Sequence, residues 1–571
     1  MLNEATAPVA PASEREYLDD VAARIRASWP AGFPHEAHLP AGKQAVTGYV
    51  RHWARTCPDK TAIVFYGREI AYGDIDRWSD GIATWLIEQG VSPGERIAVY
   101  LPTGPAFTLA FLGILKAGAI VIPVNPLVRS IELHHYLEDS GARLCITTDS
   151  RFDVLTDAHP GFDMSNVLLT AADDFLPDEP TLPGPADLLQ KHPRVAGLPR
   201  LLDIMATEPG ALPIPAWDDI AVINYTGGTT GLPKGCMHSH GDMVFTAAST
   251  ASFCVPIGHD DTMLSFLPTF WIAGEVAGIL APVVTGCTIV LLTRWDAETV
   301  MQAIDRYRVS VVSLVTDGAV EILRHPRFGE FDFSSLKQTT ATSLIKVLNA
   351  EIRAEWAEKV GTVLRESAYG MTETNTMDTF TTGHQDGNFD LSMPPVFCGL
   401  PVPGTEIKIT DPQTGALCPL GQEGIISIRT PSLLKGYWGL AEGNDALKDG
   451  WFNTGDFGMV DERGFLIFRG RRKEMLKVSG VSVFPAEIEA LLMRNPAVAA
   501  CGVVGRDDDA RGQVPVAFVR LVPDVVASPE ELVAWSRENM AFHKVPEVRI
   551  VESLPMTDTG KIKRGALAEL L

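Results

Sequence analysis

The chain has 571 residues, 46% of them hydrophobic and 21% charged, with a formal net charge of −23. That length exceeds a single hydrophobic core, so two or more domains are expected. The acidic balance excludes nucleic acid and an anionic membrane as general partners, and it obliges any polyanionic substrate to meet a local basic patch. The eight cysteines are scattered, with no CxxC or Cys/His cluster, which indicates neither a zinc site nor a disulfide framework and fits a reducing cytoplasm. The N-terminus MLNEATAPVAPASERE lacks a basic segment followed by an apolar core, and the chain ends in Glu569, Leu570, Leu571 without a peroxisomal tripeptide.

Residues 1–44 are Ala/Pro-rich around one amphipathic piece, Tyr17–Trp29, and read as an N-terminal cap. From Val46 to about Thr148, helical patterns alternate with short apolar runs at Thr61–Phe65, Arg96–Tyr100, Ile120–Val124 and Leu144–Thr147. That alternation predicts a parallel sheet with helices on both faces. Residues 171–217 show no clear period and read as a variable connection. A second alternating stretch runs from Leu264 to Ala368, so two doubly wound sheets are expected. Within it, the apolar Val276–Thr293 contains Pro282 and Gly286 and reads as a core helix followed by a buried strand, Cys287–Leu292, rather than a membrane span. From Gly404 to Phe468 short strands and turns predict an antiparallel β subdomain. The last hundred residues carry helix and strand patterns of their own. The fold class is therefore α/β, with a cap at 1–44, a large domain at 45–470 and a small α+β domain at 471–571.

The run YTGGTTGLPKG, Tyr225–Gly235, crowds glycines and threonines into one loop ahead of Lys234. Glycine lets backbone N–H groups turn toward a phosphate, the hydroxyls of Thr226, Thr229 and Thr230 add donors, and Lys234 adds a point charge. An apolar strand precedes the loop and a helix is expected from about Asp242, the strand–loop–helix setting of phosphate sites. The pattern GxxxxGK[ST] does not fit, because Pro233 precedes Lys234 and Gly235 follows it.

The loop resembles the signature of the adenylate-forming superfamily, which holds acyl- and aryl-CoA synthetases, luciferases and peptide-synthetase adenylation domains. Four further segments agree in order: YGMTET at Tyr369–Thr374, GWFNTGDFG at Gly450–Gly458, FRGRRKEMLKVSG at Phe468–Gly480 and PMTDTGKIKR at Pro555–Arg564. The resemblance covers about residue 45 to the C-terminus. It implies that a carboxylate attacks the α-phosphate of ATP to give acyl-AMP, and that coenzyme A then displaces AMP. Magnesium is the implied ion, fatty acid metabolism the general setting, and the small domain is mobile.

Residue by residue, the resemblance places Thr226, Gly227, Gly228, Thr229, Thr230, Gly231 and Lys234 on the triphosphate, with Gly227 standing where most members have serine. Gly370 belongs to the same nucleotide motif as Tyr369, which offers a face for adenine, Thr372, which touches phosphate, and Glu373, which holds the metal. Asp456 accepts from the ribose hydroxyls, Phe468 packs the nucleoside and Arg471 contacts ribose and phosphate. Lys473 is the hinge. Lys477 and Gly480 serve the thioester-forming conformation beside the CoA tunnel, and Lys561 reaches the α-phosphate during adenylation.

Two departures concern the acyl pocket. Trp271 stands where many relatives carry histidine, and the adenine-side loop reads QTTATS at Gln338–Ser343. Glu275 lies four residues past Trp271, and Asp317 stands where relatives usually show an apolar run; a buried carboxylate needs a partner, either a protein group such as an arginine or backbone amides, or a polar or cationic group on the acid. The expected partners are a small carboxylic acid, ATP and CoA; a homo-oligomer stays open. A stand-alone adenylation enzyme loading a carrier protein, a luciferase-like oxygenase and a non-catalytic nucleotide-binding relative are the alternatives.

Overall fold

A computed structural model describes residues 13–226, 233–343, 346–393, 396–440, 446–479, 481–557 and 561–571. Among these residues four sheets organise the chain. One runs Leu364–Glu366, Gln338–Thr342, Val311–Val315, Thr262–Ser265, Thr288–Leu291, Thr61–Phe65 and Arg68–Ala71, parallel except at its last pair. The other runs Val167–Thr170, Leu144–Thr148, Arg96–Tyr100, Ile120–Pro123, Ile220–Thr226 and Lys234–Ser239, again parallel except at its last pair. Strands such as Ile120–Pro123 and Leu144–Thr148 are buried throughout, which is why they read as unbroken apolar runs. The helices Tyr72–Glu88 and Pro105–Lys116 lie in the core cluster that joins the two sheets.

The stretch at Val276–Thr293 is core, as expected: a π-helical turn at Val276–Leu280, a helix at Ala281–Thr285, a left-handed Gly286 and the buried strand Thr288–Leu291. Among the described residues no helix is long and apolar enough to cross a membrane. The connection at 171–217 is less structureless than it reads. Phe175, Leu182, Leu188, Leu201 and Ile204 are buried in the main core, and short helices form at Ala186–Leu189 and Leu201–Ile204.

An antiparallel sheet follows, in the order Thr379–Phe380, Phe397–Pro401, Leu466–Arg471, Trp451–Val460, Gly424–Arg429, Glu406–Thr410. The N-terminal helix Glu14–Ser28, capped by the Ser13 side chain, packs Tyr17 and Val21 against Ile407, Ile409, Ile426, Val460 and Leu466 of this sheet. The last sheet has Val481–Val483, Leu476–Val478, Gly512–Leu521 and Val498–Asp508, with Glu547–Ile550 added in parallel. It has its own core of Leu476, Val478, Ile488, Leu492, Val503 and Val519. Between the last two sheets lies a single 3-10 turn, Arg472–Glu474. The ring of Phe484 stacks on Phe457 at 5.0 Å across that junction. A Cβ on Gly470 would meet Phe484 Cδ1 at 2.8 Å, so this glycine, at φ +152°, sets how closely the two units approach.

Candidate active site

The phosphate loop departs from the expected strand–loop–helix form. A second strand, Lys234–Ser239, stands between the first strand and the helix, with Thr226 opposite Lys234 in register, and the expected helix follows at His240–Ser249. The run KGCMHS carries few β-branched residues, so its strand nature was invisible locally; pairing with the buried strand before it decides the outcome. Gly227, Gly228, Thr229, Thr230 and Gly231 lie outside the described residues, as does Gly480.

Residues 435–438 run along the outer strand of this hairpin. Met237 N–H donates to the Gly436 carbonyl, Trp438 N–H to the Gly235 carbonyl, and Cys236 pairs with Tyr437. This brings Tyr437 beside both Glu373 and Lys234. Its hydroxyl donates to Glu373 Oε1 at 2.9 Å, and the Lys234 ammonium stands 5.4 Å from its ring centroid. Leu434 N–H donates to the Glu373 carbonyl at 2.9 Å. His238 Nε2 lies 2.7 Å from the Thr372 carbonyl, which makes Nε2 the protonated nitrogen. Sequence reasoning missed Tyr437 and His238, because neither stands in a recognised motif.

Thr372–Thr374 form one 3-10 turn. Beyond it Asn375, Thr376 and Met377 all hold left-handed backbone, at φ 59°, 60° and 55°. Such a conformation costs roughly 1–2 kcal/mol per residue. It is held by Thr376 N–H to the Met371 carbonyl at 2.8 Å, Asp378 N–H to the Tyr369 carbonyl at 2.9 Å and Thr374 Oγ1 to Asp378 Oδ2 at 2.5 Å. A Cβ on Gly370 would sit 2.4 Å from Met377 N, so the turn closes on this glycine.

The nucleoside side is built by the antiparallel sheet. Asp456 and Arg471 face each other in register on neighbouring strands, with Arg471 Nε 3.4 Å from Asp456 Oδ1. Tyr369 Oη donates to Asp456 Oδ2 at 2.6 Å, and the Tyr369 ring lies 6.0 Å from Phe468. Asp456 is 3% exposed, and among the described residues its Oδ1 accepts no hydrogen bond. Burial raises its carboxyl, opposed by the Tyr369 hydroxyl and Arg471. A buried carboxylate oxygen with an open acceptor is what a ribose hydroxyl would satisfy.

Lys561 stands in a hairpin in which its N–H donates to Thr557 Oγ1 at 3.0 Å. Desolvation first, then the Arg471 charge, lower its ammonium, while Asp456 and Glu474 oppose them. Lys561 thus shares the electrostatic field of the nucleoside pair although its residue surface is largely exposed. Lys473 is exposed in the 3-10 turn, and Lys477 is exposed on the strand Leu476–Val478.

On the acyl side, Trp271 caps a short helix, Ile272–Glu275, and meets Phe270 edge-on at 5.6 Å. Ala273 is exposed and Ala277 half-exposed, whereas Glu275 is 0% exposed. Glu275 is thus buried beside Asn224; among the described residues neither carboxyl oxygen has a hydrogen-bond partner of good geometry, and burial pushes its pKa up to about 8. Asp317 Oδ2 accepts the Lys346 N–H at 3.0 Å. The structure therefore does not unite these two carboxylates as a receptor for a cation: one is neutral near pH 7 and the other already has a protein partner. Ser343, at the end of QTTATS, is held by Glu366, whose Oε1 accepts its N–H at 2.9 Å and whose Oε2 accepts its hydroxyl at 2.5 Å.

Tyr437→Phe removes the hydroxyl from Glu373 while keeping the ring against Lys234. The expected loss is roughly tenfold in kcat/KM for ATP, about one hydrogen bond to a charged group. Pyrophosphate release measured against ATP and magnesium concentration checks it; unchanged dependence on both would contradict the assignment.

The model of the AMP-binding enzyme family matches residues 50–438, and that of the AMP-binding enzyme C-terminal domain matches residues 487–561. The chain is 31% identical to a long-chain-fatty-acid–CoA ligase of Bacillus subtilis (strain 168), over 95% of this chain and 97% of the relative. It is 30% identical to 4-coumarate–CoA ligase 1 of Petroselinum crispum, over 88% and 89%. Among solved structures it resembles the anthranilate CoA ligase AuaEII in complex with anthranoyl-AMP, with TM-score 0.78 and 25% identity over 93% of this chain and 98% of that one. ATP-bound MatB from Rhodopseudomonas palustris also gives TM-score 0.78 and 25% identity, over 92% and 99%. Motif order, the Asp456–Arg471–Lys561 grouping and these matches lead to one conclusion: the chain belongs to the AMP-binding enzyme family, among its AMP-forming acyl- and aryl-CoA ligases.

Proposed function

We propose that the grouping of Lys561, Arg471 and Asp456 is the adenylation site as it stands when the first half-reaction runs. The reaction class is acid activation followed by thioester formation. A carboxylate oxygen attacks the α-phosphorus of ATP, the bond to the β-phosphate oxygen breaks, and pyrophosphate leaves. The thiol sulfur of CoA then attacks the acyl carbonyl, the bond to AMP breaks, and the thiol proton passes to solvent. The first step moves charge onto phosphate oxygens, so positioned cations dominate the catalysis.

In this reading Asp456 and Tyr369 hold the ribose and adenine, and Arg471 and Lys561 bring positive charge to the α-phosphate. Lys234 and the loop around it take the outer phosphates. Among the described residues no group of three or more His, Cys, Asp or Glu could hold a metal ion. Glu373 offers one carboxylate oxygen besides the one held by Tyr437. That fits magnesium, which takes one or two carboxylates and draws its other oxygens from phosphate and water. Bound there, the ion would offset charge on the triphosphate. We place the domain boundary at residue 471, where the 3-10 turn separates two independent sheets, with Lys473 as the hinge and residues 1–44 as a cap on the antiparallel sheet.

The observation that carries this reading is the pairing of Asp456 with Arg471 and Tyr369, whose charges act on Lys561 from the end of the chain. Its test is pyrophosphate release over a panel of short, medium, aromatic and charged carboxylic acids, with the CoA product identified by mass. Acyl-AMP that accumulates without ever passing to CoA would favour a carrier-loading enzyme instead.

A further inference from the structure

Arg365 lies in the edge strand Leu364–Glu366 and is 7% exposed, yet its Nε and Nη2 have no hydrogen-bond partner among the described residues. Beyond burial, the group that acts on its charge is Cys254. Burial lowers the guanidinium only to about 10, so it remains a cation at neutral pH. The contrast with Arg353 is direct. That equally buried guanidinium grips Asp390 through two bonds of 2.7 and 2.6 Å and the Leu364 carbonyl through a third of 2.9 Å. A buried charge without a counter-ion is among the costliest features a fold can hold, and arginine cannot escape it by losing its proton.

The nearby carboxyls do not serve. Glu366, the next residue, points to the opposite face of the strand and is occupied by Ser343. Asp378 acts on Cys254 as Arg365 does, but its carboxyl is raised well above the ordinary range by burial and its Oδ2 is held by Thr374. Glu275, pushed up to about 8 by burial, is protonated near neutrality.

The register shows what Arg365 faces. It pairs with Thr340, and Thr340 pairs with Ser313, so the three side chains form one row on one face of the sheet. Thr340 Oγ1 donates to Ser313 Oγ at 2.9 Å, and Ser313 is half-exposed. Val311, on the same face, belongs to a cluster with Phe253 and Cys254, against which Ala277 and Met377 pack. Ala277 continues the open face of the Trp271 helix segment, and Met377 ends the left-handed turn behind YGMTET. The row thus has its half-exposed end at Ser313, on the sheet face whose cluster also packs Ala277 and Met377, and its buried end at the guanidinium.

We propose that Arg365 receives a second carboxylate at the far end of the acid, so that the favoured substrates of this ligase are dicarboxylic acids. This rests on the acyl-CoA ligase reading above. It also reverses the sign expected from Glu275 and Asp317, because the unpartnered buried charge among the described residues is a cation. The fork of the guanidinium matches a carboxylate in two parallel bonds, and the hydroxyls of Thr340 and Ser313 stand in the same row. A monocarboxylic acid of equal length would leave the charge unpaired when its tail displaces water.

The test compares aliphatic and aromatic dicarboxylic acids with monocarboxylic acids of matched length, for the wild type, Arg365→Met and Arg365→Lys. The readout is the ratio of kcat/KM values, diacid over monoacid, for pyrophosphate release. The wild type is expected to favour one diacid over its partner by roughly a hundredfold or more, as for truncating one member of a buried charge pair. Arg365→Met should bring the ratio near or below one, and Arg365→Lys should keep part of it. Should the variants fold poorly, thermal stabilisation of the wild type by diacids against monoacids reads the same preference. A wild type that handles both acids alike, or a ratio unmoved in Arg365→Met, overturns the inference and leaves the ligase reading intact. Absence of pyrophosphate release with every acid would instead overturn the ligase reading itself.

Discussion

Lys561→Ala is expected to lose acyl-AMP formation about a thousandfold while still converting supplied acyl-AMP and CoA to thioester. A unit charge beside a phosphate, at ~4 Å and an effective dielectric of ~20, is worth roughly 4 kcal/mol, which sets that factor. Lys561 shares the field of Asp456 and Arg471 in the arrangement seen here, so its charge is placed for the first half-reaction. Lys477 sits instead on an exposed strand position beyond the turn at Arg472–Glu474. Lys477→Ala should therefore show the reverse pattern, with acyl-AMP formed and little thioester. Separate assays of the two half-reactions decide the matter. If both variants lost the same step, the assignment of one lysine to each step would fall. The Phe457–Phe484 stack and the close fit of Phe484 over Gly470 would have to open for the second arrangement to form.

Arg353→Met should destabilise the large domain by roughly 3–5 kcal/mol, the usual range for breaking a buried ion pair from one side. Arg353 is 5% exposed and Asp390 4%, and the pair ties the helix Ala350–Val360 to the short helix Phe389–Ser392. The variant leaves the Asp390 carboxylate buried with its two strongest donors gone. Adding Asp390→Leu should restore much of the loss, because two apolar groups of similar volume no longer demand pairing. Urea unfolding followed by tryptophan fluorescence measures both. A single variant as stable as the wild type, or a double variant no better than the single, would show that the pair contributes little.

The order of chemical motifs and the alternation of apolar strands with amphipathic helices were legible in the linear chain. Both are short-range properties: a strand buried on both faces reads as an apolar run, and a ribose- or phosphate-binding motif needs its residues at fixed local spacing. The apolar stretch Val276–Thr293 was readable as core for the same reason, since Pro282 and Gly286 interrupt it. Tertiary structure decided the rest. The segment after the phosphate loop became a strand because Thr226–Ile220 offered it an antiparallel partner, which its own composition does not announce. Tyr437 reached Glu373 across 64 positions of sequence through pairing with the hairpin strand. Asp317 and Glu275 looked alike as carboxylates in apolar surroundings, yet one found a backbone amide and the other was desolvated into its neutral form. Arg365 was one arginine among many until the register set it in a row with Thr340 and Ser313 and left it without a counter-ion among the described residues. Residue identity specifies which charge or hydroxyl is available; partnership and desolvation depend on what distant segments the fold brings beside it, and these decide the chemistry.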